Sequence, residues 1–311
     1  FLTLFGSAMT SPALEWMIAQ PPLDVASATG RPLSGEVVEH LDSVTASLRR
    51  MDDHLGSGQT LGLVRQHLTT VVGLLRDRRY TDTVGRRLHS TAGELLRLAG
   101  WLSFDGGNHS QAQRFWIAGL YQANAAGDRG LGANILGFMS CQAKDLGQYD
   151  DAAKLADTAL TGYHGASPRV SAILHMRAAQ AYANMRDTYN TRQSIEAAYS
   201  AFRDLSADST GPAWAYWLDE AQINEQIGYC YLRLEDWPRA TSHMRKSVQL
   251  QGNTESREGA LRLALLADSY ARQGEPEQAC ATGSRALDTL TSHVDSARCV
   301  GHMQDLRDHL A

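Results

Sequence analysis

The amino-acid sequence predicts an all-α fold, built from pairs of antiparallel helices that stack along the chain. Alanine and leucine dominate the composition, and proline is rare with 8 residues in 311, so helix formers prevail throughout. A turn followed by a small side chain recurs at Ala112, Ala152, Thr191, Ala240 and Ala279. The spacing is 39 or 40 residues, apart from one interval of 49 residues. Chance does not space this pattern so evenly, and we therefore predict five helical repeats.

Residues 98–115 show the repeat most clearly. Gly100 lies late in a first helix, Gly106 and Gly107 break that helix, and Ala112 lies early in a second helix. Small residues at Gly100 and Ala112 would let the two helices approach closely. The pattern is typical of tetratricopeptide repeats, although those recur at about 34 residues and the present units are longer. The expected fold is a right-handed tetratricopeptide-like superhelical solenoid.

The N-terminal residues 1–33 carry no repeat signature. Ser11 and Pro12 are suited to the N-cap and first turn of a helix, which predicts a short helix over residues 13–20. The proline pair that follows ends this helix, and a linker rich in proline, alanine, serine and glycine completes the segment.

A helical hairpin over residues 34–80 is predicted to cap the solenoid, with helices over 34–55 and 59–78. The repeats and a C-terminal capping helix over 294–310 then fill residues 81–311, because solenoids need atypical end units to cover their exposed core. The apolar positions expected on the inner faces of the hairpin are Val37, Leu41, Val44, Leu48 and Met51, then Leu61, Val64, Leu68, Val71, Val72 and Leu75.

Composition and charge exclude several classes of protein. A net charge of −5 gives no reason to expect nucleic-acid binding by this chain itself. The four cysteines are far apart inside predicted helices, which indicates reduced core residues in a cytoplasmic protein. No apolar run is long enough to span a membrane. The apolar start lacks the basic residues of a signal peptide and does not begin with methionine, so we expect further sequence upstream.

Catalytic and cofactor motifs are not found. The sequence contains no phosphate-binding glycine loop, no G-x-S-x-G elbow and no H-E-x-x-H pair, and we expect neither an enzyme nor a cofactor. Two polar clusters are expected to be ordinary surface features without a catalytic or metal-binding role. Residues 52–54 are expected to be a solvated helix end. A second cluster on one face of the last helix is expected to be ordinary amphipathic surface rather than a metal site, and comprises Cys299, His302, Asp305 and His309.

A binding surface is the better prospect. In stacked helix pairs the first helix of each pair lines the concave side, and residues that flank its packing positions should face the groove. Amide side chains there can bind a peptide backbone, and arginine can hold a carboxylate through two hydrogen bonds. The expected ligand is a short peptide or a small acidic metabolite. The predicted groove residues are Arg97, Trp101, Asn134, Lys144, Arg177, Gln180, Asn184, Gln222, Tyr229 and Arg233.

The alternative is a solvated concave face without a ligand, since polar residues must lie there in either case. The remaining aromatic residues are expected to pack between repeats, because a stripe of aromatics at helical spacing is usually core. They are Trp116, Tyr121, Phe138, Tyr182, Tyr199, Phe202, Trp214, Trp217, Tyr231 and Tyr270.

Residues 98–107 together with 112–115 resemble a stretch of actinobacterial regulators that carry an N-terminal Xre-type helix-turn-helix and a C-terminal tetratricopeptide region. Residues 14–18 and 43–56 resemble the segment that follows the helix-turn-helix in those proteins. Peptide-responsive regulators of the Rap, Rgg, NprR, PlcR and PrgX type are a more distant likeness, in architecture only. The helix-turn-helix itself does not occur in these 311 residues.

The resemblance implies the sensor region of a transcription regulator. Our first hypothesis is a ligand-sensing regulatory domain that forms a homodimer and reaches DNA only through an N-terminal domain absent from this sequence. The alternative is an interaction scaffold that docks the peptide of a partner protein.

Overall fold

A computed structural model describes residues 2–22, 31–55, 57–165, 167–205, 211–251, 256–292 and 296–310 of the chain. The described residues are overwhelmingly α-helical, and the tetratricopeptide-like all-α fold predicted from the sequence is confirmed. One feature was not predicted: strands β1 (Arg31–Pro32) and β2 (Arg78–Arg79) form a two-residue parallel pair that ties the two ends of the hairpin together.

Five antiparallel helix pairs form the body of the protein, and in each pair the two helices pack against each other along their length. The first helices of the pairs lie side by side in the interior, and the second helices lie outside them. The pairs are α4 (Asp82–Asp105) with α5 (His109–Ala126), α6 (Arg129–Asp145) with α7 (Tyr149–Gly162), α8 (Pro168–Asn184) with α9 (Thr188–Arg203), α10 (Glu220–Arg233) with α11 (Trp237–Leu250), and α12 (Arg257–Arg272) with α13 (Pro276–Ser292).

The turn inside each pair has the same backbone shape. Its central residue has a positive φ, which glycine adopts without strain in three pairs, for example Gly107 with φ 80°. Arg186 and Glu235 adopt it in the other two pairs, and their side chains form an ion pair at 2.8 Å. The small residue five positions after each of these turns is fully buried, as the repeat pattern predicted: Ala112, Ala152, Thr191, Ala240 and Ala279.

Close approach within the first pair depends on Gly100. A Cβ at this position would overlap the indole of Trp116, which is itself fully buried in α5. The Trp116 Nε1 donates a hydrogen bond to the carbonyl oxygen of Arg97 at 3.2 Å, which the approach makes possible. The predicted role of Gly100 in this helix crossing is therefore confirmed.

The N-terminal helix differs from its prediction. Helix α1 spans Ser7–Ile18, so it begins well before residue 13 and contains Pro12 in its interior instead of its first turn. Tertiary contacts outweigh the poor helix propensity of this segment: Met9, Ala13 and Trp16 are buried against the repeats. Only residues 21 and 22 at the start of the predicted linker, and its last residues from 31 onward, belong to the described part of the chain.

The hairpin consists of α2 (Gly35–Leu55) and α3 (Ser57–Asp77), which pack on α4. Its predicted apolar face is wrong at two positions. Val37 is 39% exposed while its neighbour Val38 is fully buried, and Val72 is 46% exposed. Leu41, Leu48, Val64 and Val71 are buried as predicted. The side chains of residues 54–57 lie outside the described part, including His54 of the predicted polar cluster.

The two ends of the solenoid meet. Helix α14 (Ala297–Leu310) covers α12 and also contacts α4, while α12 contacts α2 of the hairpin. The Arg257 guanidinium donates to both carboxylate oxygens of Asp52 at 2.6 and 3.3 Å, and both side chains are buried. Ser296 donates to Asp105 at 2.9 Å at a second contact of this kind. These contacts bring α2 and α14 to the interior that the first helices line, which the sequence did not predict.

Candidate functional site

The interior between the inner helices holds two adjoining cavities. The central cavity has a volume of about 350 Å³ and is lined by the inner faces of α4, α6, α8, α10 and α12, with further residues from α2 and α14. The second cavity has a volume of about 590 Å³ and lies toward the C-terminal ends of the same inner helices. Lys144, Tyr229, Leu265, Arg298 and His302 line both cavities.

Nine of the ten predicted groove residues lie on these two cavities. Seven line the central one, namely Arg97, Trp101, Lys144, Arg177, Gln180, Gln222 and Tyr229. Asn184 and Arg233 line the second. Asn134 lines neither cavity: it is 1% exposed and lies one helical turn before Phe138, the first residue of α6 to reach the interior. The structure thus gathers nine of these side chains in one interior, and their role in binding stays a prediction.

A cluster of hydrogen-bonded side chains, Lys144, Asn184 and Tyr229, lies at the boundary between the two cavities. The Tyr229 hydroxyl is hydrogen bonded to the Asn184 side chain at 3.1 to 3.2 Å and accepts from Lys144 Nζ at 3.4 Å. The Lys144 ammonium also lies 4.5 Å from the centre of the Tyr229 ring and pairs with Asp145. This cluster joins α6, α8 and α10 at the boundary of the central cavity.

Three buried guanidinium groups on the central cavity have no ion-paired carboxylate among the described residues: Arg97, Arg177 and Arg262. Arg97 is 4% exposed, and its guanidinium has no hydrogen-bond or ion-pair partner in the described part of the chain. Arg177 is 8% exposed, and its one hydrogen bond runs to Gln180 Oε1 at 3.3 Å. Their Cζ atoms lie 5.4 and 5.5 Å from the centroid of the same Phe138 ring, and Arg177 also lies 5.7 Å from that of Trp217. Aromatic rings hold these cations, which leaves their N–H donors available to a ligand.

Other cations around the cavity do have acidic partners. Arg257 pairs with Asp52 at 2.6 Å, Arg298 with Asp105 at 3.5 Å, and Arg49 with Glu94. Arg97, Arg177 and Arg262 differ from these cations, because an arginine buried for structural reasons is normally paired.

Burial strongly lowers the pKa values of two arginines that line the central cavity, Arg97 and Arg49. It lowers the pKa of Arg97 to about 10, although the charges of Tyr216, Asp52 and Asp53 act in the opposite direction. Burial and the nearby charge of Arg97 lower the pKa of Arg49 to about 10 as well. Both groups stay protonated at neutral pH.

The part of the lining that α10 contributes carries hydrogen-bond acceptors. Glu225 is 5% exposed and accepts a hydrogen bond from Gln222, whose own oxygen accepts from Arg262 at 3.0 Å. Burial, together with the charge of Glu258, raises the pKa of Glu225 to about 7. The neighbouring Gln226 is 2% exposed, and its Oε1 has no donor among the described residues.

Several lining residues come from outside the inner helices of the repeats, and the repeat pattern could not reveal them. Arg49, Asp52 and Asp53 belong to the hairpin helix α2, and Arg298 belongs to α14. Tyr216 follows the single-turn helix Ala213–Ala215 and donates a hydrogen bond to Asp53. They reach the cavity because the ends of the solenoid meet, a long-range contact that leaves no periodic signal in the sequence.

Three predicted assignments need correction. Asp52 is not part of a solvated helix end, since it is 4% exposed and bonded to Arg257. Tyr121 is 59% exposed and does not pack between repeats, because it lies on the outer face of α5. Phe138 and Trp217 do pack in the core, but they also line the central cavity.

The polar cluster on α14 is dispersed. Cys299 is fully buried and its thiol donates to the Arg257 carbonyl at 3.7 Å, whereas Asp305 is exposed. Burial lowers the pKa of His302 to about 4. His309 lies 2.6 Å from the Asp268 carboxylate. No group of three or more histidine, cysteine or acidic side chains in the described part of the chain is arranged to hold a metal ion.

No helix in the described ranges combines the length and apolar character needed to cross a membrane. Comparison with family models gives no match, and comparison with curated proteins gives none either.

Solved structures do resemble the chain. BtubC from P. vanneervenii is 16% identical, with 81% of this chain and 91% of that chain covered, at a TM-score of 0.46. MamA from Desulfovibrio magneticus RS-1, from residue 41 to its end, is 16% identical; the match covers 64% of this chain and 96% of that chain, at a TM-score of 0.35. A chain of the APC/C hetero-tetramer Cut9–Hcn1 is 15% identical; the match covers 86% of this chain and 46% of that chain, at a TM-score of 0.46. These overall likenesses are loose, so the assignment of a tetratricopeptide-like all-α fold depends on the five helix pairs of this chain.

Proposed function

We propose that this chain is the ligand-sensing domain of a transcription regulator and that it binds a small anionic ligand in its central cavity. The observation that carries the proposal is the pair Arg97 and Arg177, two buried guanidinium groups with no carboxylate partner among the described residues. The proposal assigns no reaction to the chain.

The energetic argument concerns desolvation. An unpaired buried cation destabilises a fold, because the charge loses its hydration and gains no equivalent partner. Perturbed and unpaired charges of this kind cluster at functional sites, where the cost is offset when the ligand binds. An anion bound to Arg97 or Arg177 would supply the missing partner through charge-assisted hydrogen bonds.

The regulatory part of the proposal draws on the sequence resemblance to Xre-type regulators. In this arrangement the present chain senses the ligand and forms a homodimer, and DNA is bound by a domain outside these 311 residues. The location of the hairpin supports this regulatory role. Helix α2 contributes residues to the lining of the central cavity, and its Asp52 forms the contact with Arg257 of α12.

A docking scaffold for a partner peptide is the second candidate, since helical repeats of this class present concave binding surfaces. The second cavity favours it, because this cavity is larger and includes the predicted residues Asn184 and Arg233. The two candidates differ in what should occupy the central cavity: an anion in the first, and no dedicated ligand in the second.

Thermal-shift measurements with a panel of small carboxylates and phosphates, together with native mass spectrometry after exposure to a cell extract, test the proposal. Arg97→Gln and Arg177→Gln should abolish the shift. Arg186→Gln is the matched control, because Arg186 is exposed and pairs only with Glu235. Binding by macromolecules alone, or small-anion binding that survives both substitutions, would refute an anion site at this position.

A further inference from the structure

We propose that the ligand of the central cavity is a zwitterion of amino-acid size, with its carboxylate bound to Arg97 or Arg177 and its ammonium group bound to Glu225 and Gln226. The inference rests on the proposed function, because it concerns the same cavity. It goes further by naming the chemical class of the ligand.

The carboxylate end is defined by the two guanidinium groups. Arg97 from α4 and Arg177 from α8 flank the same Phe138 ring, and neither has an acidic partner in the described part of the chain. A guanidinium group offers several N–H donors in one plane, a geometry that suits the two oxygens of a carboxylate.

The ammonium end is defined by acceptors that lack donors. Gln226 Oε1 is buried without a donor in the described structure, and a buried acceptor left in this state destabilises the protein. Glu225 beside it accepts only from Gln222, and no cation in the described ranges lies within ion-pairing distance of its carboxylate. An ammonium group has three N–H donors and no acceptor, so one such group can donate to both residues.

Size and enclosure restrict the ligand further. The cavity volume of about 350 Å³ lies at the low end of the range for ligand pockets, about 300–1,000 Å³. The Asp52–Arg257 contact closes it on the side of the hairpin. An amino acid fits such a space better than an extended peptide. The apolar part of the lining, which includes Trp101 and Leu261, favours an apolar side chain on the ligand.

The electrostatic surroundings of Glu225 give the inference a distinctive signature. The charged groups that act on Glu225 are Glu258 and Arg262 from α12 and Arg298 from α14, and burial is the largest influence, so that its pKa is raised to about 7. A ligand ammonium group would favour the ionised carboxylate and lower this pKa. Binding of a zwitterion at pH 7 should therefore release protons, whereas an anion without an ammonium group should cause proton uptake.

The experiment begins with thermal shifts in the presence of each of the twenty common amino acids. The best one is then compared by isothermal titration calorimetry with its analogue lacking the amino group and with its amide lacking the carboxylate. Titrations at pH 7 in Tris and in Bis-Tris, which carry no anionic group and differ in ionisation enthalpy, measure the protons released or taken up.

We expect the intact amino acid to bind with proton release and each analogue to bind at least about tenfold more weakly. Glu225→Gln should weaken binding by a similar factor and eliminate the proton release. Glu220→Gln, an exposed residue of the same helix that pairs with Lys246, should change neither quantity. Equal melting temperatures of the two variants without ligand show that the fold is retained.

The inference is overturned if no amino acid binds, if the deaminated analogue binds as tightly as the amino acid, or if binding takes up protons. Binding of the deaminated acid that depends on Arg97 would still support the proposed anion site. Failure of the zwitterion and failure of the proposed function are therefore distinguishable.

Discussion

Replacing Arg97 with methionine should stabilise the protein in the absence of ligand and should prevent it from binding the ligand. Burial lowers the pKa of Arg97 from 12.5 to about 10, which corresponds to about 3 kcal/mol of unfavourable free energy for the charged group at neutral pH. Loss of the contact with Phe138 offsets about 0.5–2 kcal/mol of the gain. We therefore expect the free energy of unfolding to rise by about 1–3 kcal/mol in Arg97→Met, since methionine fills a similar volume without a charge.

Urea denaturation followed by circular dichroism measures this difference, and the slope of the transition shows whether the denatured state has changed. Arg186→Met is the control, because Arg186 is an exposed residue whose replacement should change stability by no more than about 0.5 kcal/mol. A loss of more than about 1 kcal/mol in Arg97→Met would show that the guanidinium stabilises the fold, and the argument for an unpaired ligand-binding cation would fail.

Three other substitutions test the packing and charges around the site. Arg257→Met should cost about 3–5 kcal/mol in urea denaturation, because it leaves the buried Asp52 carboxylate without its partner, and the double variant with Asp52→Asn should recover much of the loss. Ala279→Leu should lower the free energy of unfolding by about 1–3 kcal/mol by overpacking a fully buried helix crossing, and an unchanged melting temperature would contradict the repeat register. His302 has its pKa lowered from 6.5 to about 4, so the folded protein binds protons more weakly than the unfolded chain. Its contribution to stability is therefore present above pH 6.5 and lost as the pH falls toward 4, by up to about 3 kcal/mol, and His302→Gln should flatten this dependence.

The fold could be predicted from the sequence because its repeats are local. Each turn combines a residue of positive φ with a small residue five positions later, and both requirements act over less than two helical turns. The predicted bounds of a helix or its predicted buried face were wrong where tertiary contacts determine them. Helix α1 includes Pro12 because Met9 and Trp16 are buried against the repeats, and Val38 replaces Val37 in the hairpin core because α4 contacts that face.

The residues of the site were predictable only in part, for the same physical reason. Helical spacing places Arg97 and Arg177 on the inner faces of α4 and α8, and this required no knowledge of the other helices. The enclosure of the site depends on contacts between residues about 200 positions apart, such as Asp52 with Arg257. Nothing in the local pattern of either residue indicates its partner, so the contact between the two ends of the solenoid was not predicted.

A final prediction links the cavity to the hairpin. Arg49 on α2 and Arg97 on α4 have like charges that act on each other across the cavity wall, since the charge of Arg97 lowers the pKa of Arg49. An anion bound to Arg97 would neutralise this repulsion, and α2 should then pack more firmly on α4. Hydrogen exchange measured by mass spectrometry should show slower exchange in residues 35–55 when ligand is bound, with unchanged exchange in α13, which does not line either cavity. Equal protection of the whole chain would indicate general stabilisation by mass action alone, whereas a response confined to α2 would show that ligand occupancy is transmitted to the N-terminal hairpin.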